Sequence, residues 1–150
     1  MTKRVFALLG LAALLTACGG EQKQTLEQAL VAKLQNDSDL KDYKLAPQDV
    51  AKCVLEEISN SLPVFPGDPR RGEYFDAYAK FLSADSSAAA QQALDNAAKL
   101  FGSVKEARKA AVGVTDFIIS CMGELVETKP LPGDSAPPQQ PAQPGAPAAP

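Results

Sequence analysis

Cys18, Cys53 and Cys121 are the thiols of this sequence, and it contains no histidine to activate them. Histidine is the commonest general base and metal ligand among side chains. Its absence rules out Ser-His-Asp and Cys-His nucleophilic machinery and zinc sites of the usual composition. A hydrolase working through carboxylates alone stays chemically open, but most acidic residues, Glu56 and Glu57 among them, fall on helix faces expected to be solvated. No catalytic residue, metal ligand or cofactor is therefore assigned. Three fates remain for a thiol here: alkylation, oxidation to a bridge, or burial as a small apolar group.

The first cysteine has the clearest context. Lys3 and Arg4 precede an apolar run from Val5 to Leu15, the pattern of an export signal. That run is shorter than the roughly 20 residues a membrane-spanning helix needs. It ends in Leu15-Thr16-Ala17-Cys18, which resembles the lipobox of bacterial lipoproteins position by position. The resemblance implies a diacylglyceryl thioether on Cys18, cleavage after Ala17 and acylation of the new amino group. An ordinary secretory cut after Gly19 is the competing reading. Leu15 fits the lipobox and suits ordinary cleavage after Ala17 poorly. Gly19, where an Asp typically retains such lipoproteins on the inner membrane, favours an outer-membrane address facing the periplasm. Two or three acyl chains hold a protein firmly, where one binds only marginally. The expected organisation is a signal peptide over 1–17, a lipidated tether over 18–24 reaching roughly 20 Å, a helical domain over 25–128 and a tail over 129–150.

Export changes the meaning of charge and of the other cysteines. Without Lys3 and Arg4, the 15 basic residues fall to 13 against 18 acidic ones, a side-chain net of −5. That balance opposes adhesion to nucleic acid or anionic lipid. With Cys18 lipidated, Cys53 and Cys121 form an even pair in an oxidising compartment. Two readings stand: a bridge worth roughly 4 kcal/mol in the chain-entropy model, or two buried thiols.

The tail, "KPLPGDSAPPQQPAQPGAPAAP", holds eight of the twelve prolines and almost no large apolar residue. Such a composition cannot offset the entropy of ordering, and predicts disorder with polyproline-like stretches. Pro138-Gln139-Gln140-Pro141 has the spacing of a docking strand, although a solvated spacer needs nothing more than this composition.

Between Thr25 and Thr128 the patterns are helical, predicting an all-α bundle of four to five helices. Thr25 with Gln28 reads as a capping box ahead of Leu26, Leu30 and Leu34. "NDSDLKDYK" reads as a polar break. Pro47 suits the first turn of a helix carrying Val50, Cys53, Val54, Ile58 and Leu62 on one face. A long proline-rich loop, "SNSLPVFPGDPRRG", follows. Glu73 to Leu82 predicts a third helix with Tyr74, Tyr78, Phe81 and Leu82 together and Phe75 beside them. Asp85 or Ser86 caps a fourth, ending at Gly102. Ser103 and Glu106 form a second capping box, opening a helix with Val104, Ala107, Ala111, Val114, Ile118, Cys121 and Leu125 in one stripe.

Two clusters have both a functional and a plain reading. The aromatics of the third helix line a pocket or an interface, or they fill the core, with Phe75 as the exposed candidate. Arg70 and Arg71 bind a carboxylate or phosphate of the wall or of lipid headgroups, or they are neutralised locally by Asp68 and Glu73. These features predict a non-enzymatic, lipid-anchored interaction module contacting an envelope protein or peptidoglycan through Arg70, Arg71 and Phe75. The alternative is a periplasmic small-ligand module with a pocket between helices.

Overall fold

The computed structural model describes residues 20–128; the lipobox, Cys18 and the proline-rich tail lie outside the described residues. Five long helices and one short one make up this region: α1 Gly20–Leu34, α2 Ser38–Asp42, α3 Pro47–Ser61, α4 Arg71–Ser83, α5 Ser87–Phe101 and α6 Val104–Thr128. The described region is an all-α bundle. α4 is central, packing on α1, α5 and α6; α3 packs on both α1 and α6.

Local chemistry explains most boundaries. Pro47 sits in the first turn of α3, where its missing N–H costs nothing. Ser86 Oγ accepts from Ala89 N–H at 3.1 Å to open α5, and Gly102 closes it in the left-handed region at φ 90°. Ser103 Oγ accepts from Glu106 N–H at 3.2 Å ahead of α6.

Two local readings need correction. α1 begins at Gly20, so Thr25 lies inside the helix and its hydroxyl donates to the Glu21 carbonyl at 3.0 Å. The Ser/Thr-x-x-Glu/Gln spacing recurs within helices, and Glu21, Gln22, Lys23 and Gln24 are good helix formers that carry α1 back past it. Residues 20–24 are therefore helix rather than tether. Thr25→Ala should leave stability and helix content unchanged within about 0.5 kcal/mol, as read by urea melts; a loss of about 1 kcal/mol would mark an N-cap after all.

The second correction lies in the polar break, which folds as α2. Asp37 caps it, Oδ1 accepting from Asp39 N–H at 2.9 Å and from Leu40 N–H at 3.2 Å. Leu40, the one large aliphatic residue of the stretch, is buried. Lys44 closes α2 at φ 53°, with Leu45 N–H donating to the Leu40 carbonyl and Lys44 N–H to that of Lys41. This closure sets Tyr43 at the end of α2, facing solvent.

The core runs through Leu26, Leu30 and Leu34 of α1, Val50, Val54 and Ile58 of α3, and Tyr74, Phe75 and Tyr78 of α4. Cys53 and Cys121 are bridged, with 5.8 Å between their Cα atoms, which ties α3 to the C-terminal half of α6. Phe101 stands edge-on to Tyr74 at 5.1 Å and to Tyr78 at 5.8 Å between ring centroids. The Tyr74 hydroxyl donates to the Leu100 carbonyl at 2.9 Å.

Candidate functional site

Of the three residues proposed from sequence for partner contact, Phe75 and Arg71 are taken up by the fold, and Arg70 is exposed but already ion-paired. Phe75 is only 4% exposed and belongs to the core, because α4 has helices on several sides and buries more of its circumference than one stripe. Arg71 is held inward. Its Nη2 donates to the Ser59 carbonyl at 2.8 Å and its Nη1 to that of Val64 at 3.1 Å, with the guanidinium 5.6 Å from the Phe75 ring centre. Arg70 is exposed but bidentate on Asp68, at 3.1 Å from Nε and 2.8 Å from Nη2. The two arginines therefore build the proline loop: Arg70 is neutralised locally by Asp68, and Arg71 is held by backbone carbonyls rather than by Glu73.

Arg71 acts as the clamp that joins the end of α3 to the loop and to α4. Arg71→Met should cost about 2 kcal/mol by removing two charge-assisted hydrogen bonds. Arg71→Lys should recover little, since one ammonium cannot reproduce a fork reaching two carbonyls. Chemical melts of the three proteins test this.

Asp68 is buried and accepts from the Arg70 backbone N–H at 2.8 Å as well as from its side chain. The Arg70 side-chain hydrogen bonds, then the backbone one, hold the Asp68 carboxyl below its ordinary value. A depressed folded pKa gives stability that is complete above the unfolded value and is lost as pH falls through the folded one. The stability gap between the natural protein and Asp68→Asn should therefore narrow below about pH 4, and stay constant from there to neutrality. An acid series of denaturant melts reads this directly.

Apart from Phe65 in the proline loop, the large apolar side chains left in solvent among the described residues lie on α6 and on α2 beside it. Val112, Ile119 and Val126 recur every seven residues and are 62%, 64% and 37% exposed. Ala107, Val114 and Cys121, offset from them, form the buried seam of the same helix. Beside the C-terminal half of this face stands α2. Tyr43, 57% exposed, walls an open groove of about 400 Å³ with Ile119, Met122, Gly123 and Val126, and the carboxylates of Asp39 and Glu127 sit at its rim.

This second stripe was readable as a sevenfold repeat in sequence, yet it lies in the same helix as a longer apolar series. Only the packing says whether the shorter series is covered as well. A second groove, of about 480 Å³ between α4 and α5, is lined with charge of both signs from Arg70, Glu73, Asp76, Lys80 and Lys99. There Lys80 Nζ already donates to Asp76 at 2.6 Å, and Arg70 is committed to Asp68.

Among the described residues no group of three or more His, Cys, Asp or Glu side chains is placed to hold a metal ion. No helix among them is long and apolar enough to cross a membrane. No family model, curated protein or solved structure matches this chain.

Proposed function

We propose that this chain is a lipid-anchored protein of the bacterial envelope, of non-enzymatic type, whose helical domain docks a protein partner through the α2–α6 groove. The exposed apolar stripe on α6 carries the docking half of this reading. Large apolar side chains left together in water mark interaction surfaces, and here Ile119 and Val126 lie beside the aromatic wall of Tyr43. The small-ligand alternative draws less support, because Tyr74, Tyr78, Phe81 and Phe101 pack on one another, and the cleft of about 510 Å³ that Tyr78 and Phe101 line with Phe117 is open and carries Glu106, Lys109 and Asp116.

The anchoring half rests on Leu15-Thr16-Ala17-Cys18. With lipid on Cys18, Gly19 alone precedes α1. The span from Cys18 to Gly20 is then at most about 7 Å, well short of the reach expected of a six-residue tether. The domain would sit against the membrane rather than range above it, in the outer membrane facing the periplasm.

Both halves are testable in cells. An alkyne-bearing fatty acid should label the chain and fail to label Cys18→Ser; equal labelling removes the anchor. A photo-crosslinking residue at Ile119 should yield a discrete protein adduct that Val126→Asp abolishes, while the same probe at Gln92, exposed on α5, yields none. Equal adducts from both positions would remove the docking face.

A further inference from the structure

We infer that the occupant of this groove is the α6 helix of a second copy of the chain, running antiparallel. The inference rests on the reading of this face as a docking surface and names its partner. The groove has an apolar floor and two acidic rim residues, Asp39 and Glu127. An occupant that matches it is an apolar helix face with basic side chains beside it. The first turns of α6 supply that: Lys105, Arg108 and Lys109 are exposed and share the side of the helix that carries Val112.

Direction follows from charge. Exposed positions in the N-terminal part of α6, up to Val112, carry Lys105, Glu106, Arg108 and Lys109; those beyond it carry Asp116, Glu124 and Glu127. A parallel pair would set like charges side by side along its length. An antiparallel pair sets the basic end of each helix on the acidic end of the other. With a two-fold axis at Ile119, Val112 lies opposite the partner's Val126, and Ile119 opposite the partner's Ile119.

At 100° per residue, Lys109 and Glu127 project about 80° to the same side of Ile119. In this pairing Lys109 is then about 3 Å along the axis from the partner's Glu127, within salt-bridge reach. The contact is isologous and closes as a dimer.

Gly123 is consistent with a close approach. It sits inside α6 on the strip, where glycine destabilises a helix by roughly 0.5–1 kcal/mol against alanine. A Cβ there would meet nothing within 4 Å, so packing within the chain does not require its smallness. In the pairing, glycine here lets the second helix approach closely.

The test uses the full chain in the envelope, co-expressed in two tagged forms. Val112→Cys in one form and Val126→Cys in the other should give a disulfide-linked heterodimer, and neither form should give a homodimer. Homodimers of each form would mean a parallel pair and overturn the arrangement. Charge supplies a second readout by sedimentation of the purified full chain. Lys109→Glu should weaken the dimer at least tenfold, and the Lys109→Glu/Glu127→Lys chain should recover it, since each swapped charge meets its swapped opposite. No recovery overturns the pairing.

Ile119→Asp should weaken the dimer on the order of 100-fold with an unchanged melting temperature for the monomer. A chain that sediments as a monomer at every concentration overturns the inference. If the Ile119 crosslinker then traps a protein of another mass, the docking face survives with a different occupant; if it traps nothing, both readings fall together.

Discussion

Reduction of the Cys53–Cys121 bridge should lower the stability of the folded chain by about 4 kcal/mol, the entropy cost of a closed loop of this length in the denatured state. The bridge spans 68 residues and crosses from α3 to the C-terminal half of α6. Everything between those points, α4 and α5 included, lies inside the loop it closes. For a domain of about a hundred residues, each kcal/mol is worth roughly 4–8 °C, so the melting temperature should fall by 15 °C or more. Cys53→Ser/Cys121→Ser should reproduce the loss and add the cost of a hydroxyl at position 121, which is buried. Calorimetry with and without reductant on both proteins separates the two contributions. A melting temperature indifferent to reductant would mean that the bridge stabilises nothing.

Leu30→Ala should cost about 2–5 kcal/mol, a large share of a total expected near 5–15 kcal/mol. Leu30 has no exposed surface and lies at the centre of the α1 stripe between Leu26 and Leu34, where α1 packs on both α4 and α3. The neighbours are held by two helices and cannot close over the space left behind. Ile119→Ala, removing a comparable side chain that is mostly in water, should change monomer stability by no more than about 0.5 kcal/mol. The contrast between the two variants in urea melts is the measurement. If both cost the same, then α6 buries a face that the fold leaves in solvent.

These two residues also mark what can be read without coordinates. The stripe at 26, 30 and 34, Pro47, Ser86, Gly102 and the Ser103–Glu106 cap are all local chemistry, acting over a turn or two. They place α3, α5 and α6 to within a residue or two. The start of α1 was misread because a capping pattern can sit in the middle of a helix, where nothing distinguishes it until the preceding residues are seen to be helical. α2 was missed because a five-residue helix with one buried leucine has no period to detect.

Phe75 and Arg71 are taken up by the fold for a different reason. Exposure is not a property of one helix. A single stripe of Tyr74, Tyr78 and Phe81 predicts one covered face, yet α4 is surrounded and Phe75 is covered from another direction. Arg71 similarly looks free in sequence, because its acceptors, the carbonyls of Ser59 and Val64, are twelve and seven residues away. The cationic pair has its countercharge two residues off at Asp68, and this was readable.

The sequence by itself determined that the chain is helical between its terminal segments, where most helices begin and end, and which cysteines can pair. Helix caps, proline geometry and apolar periodicity are short-range forces, so they act the same way in any tertiary setting. The alternating three-and-four series through Ala107, Val114 and Cys121 marked the inward seam of α6 in advance, but only the tertiary structure decided that Val112, Ile119 and Val126 stay uncovered in water. An apolar residue off the main stripe can still be covered by a second neighbour, as Phe75 is. Coverage of α6 was settled by what stands opposite, α3 with its half of the disulfide and α5 with its small residues, and burial depends on that neighbour rather than on the helix alone.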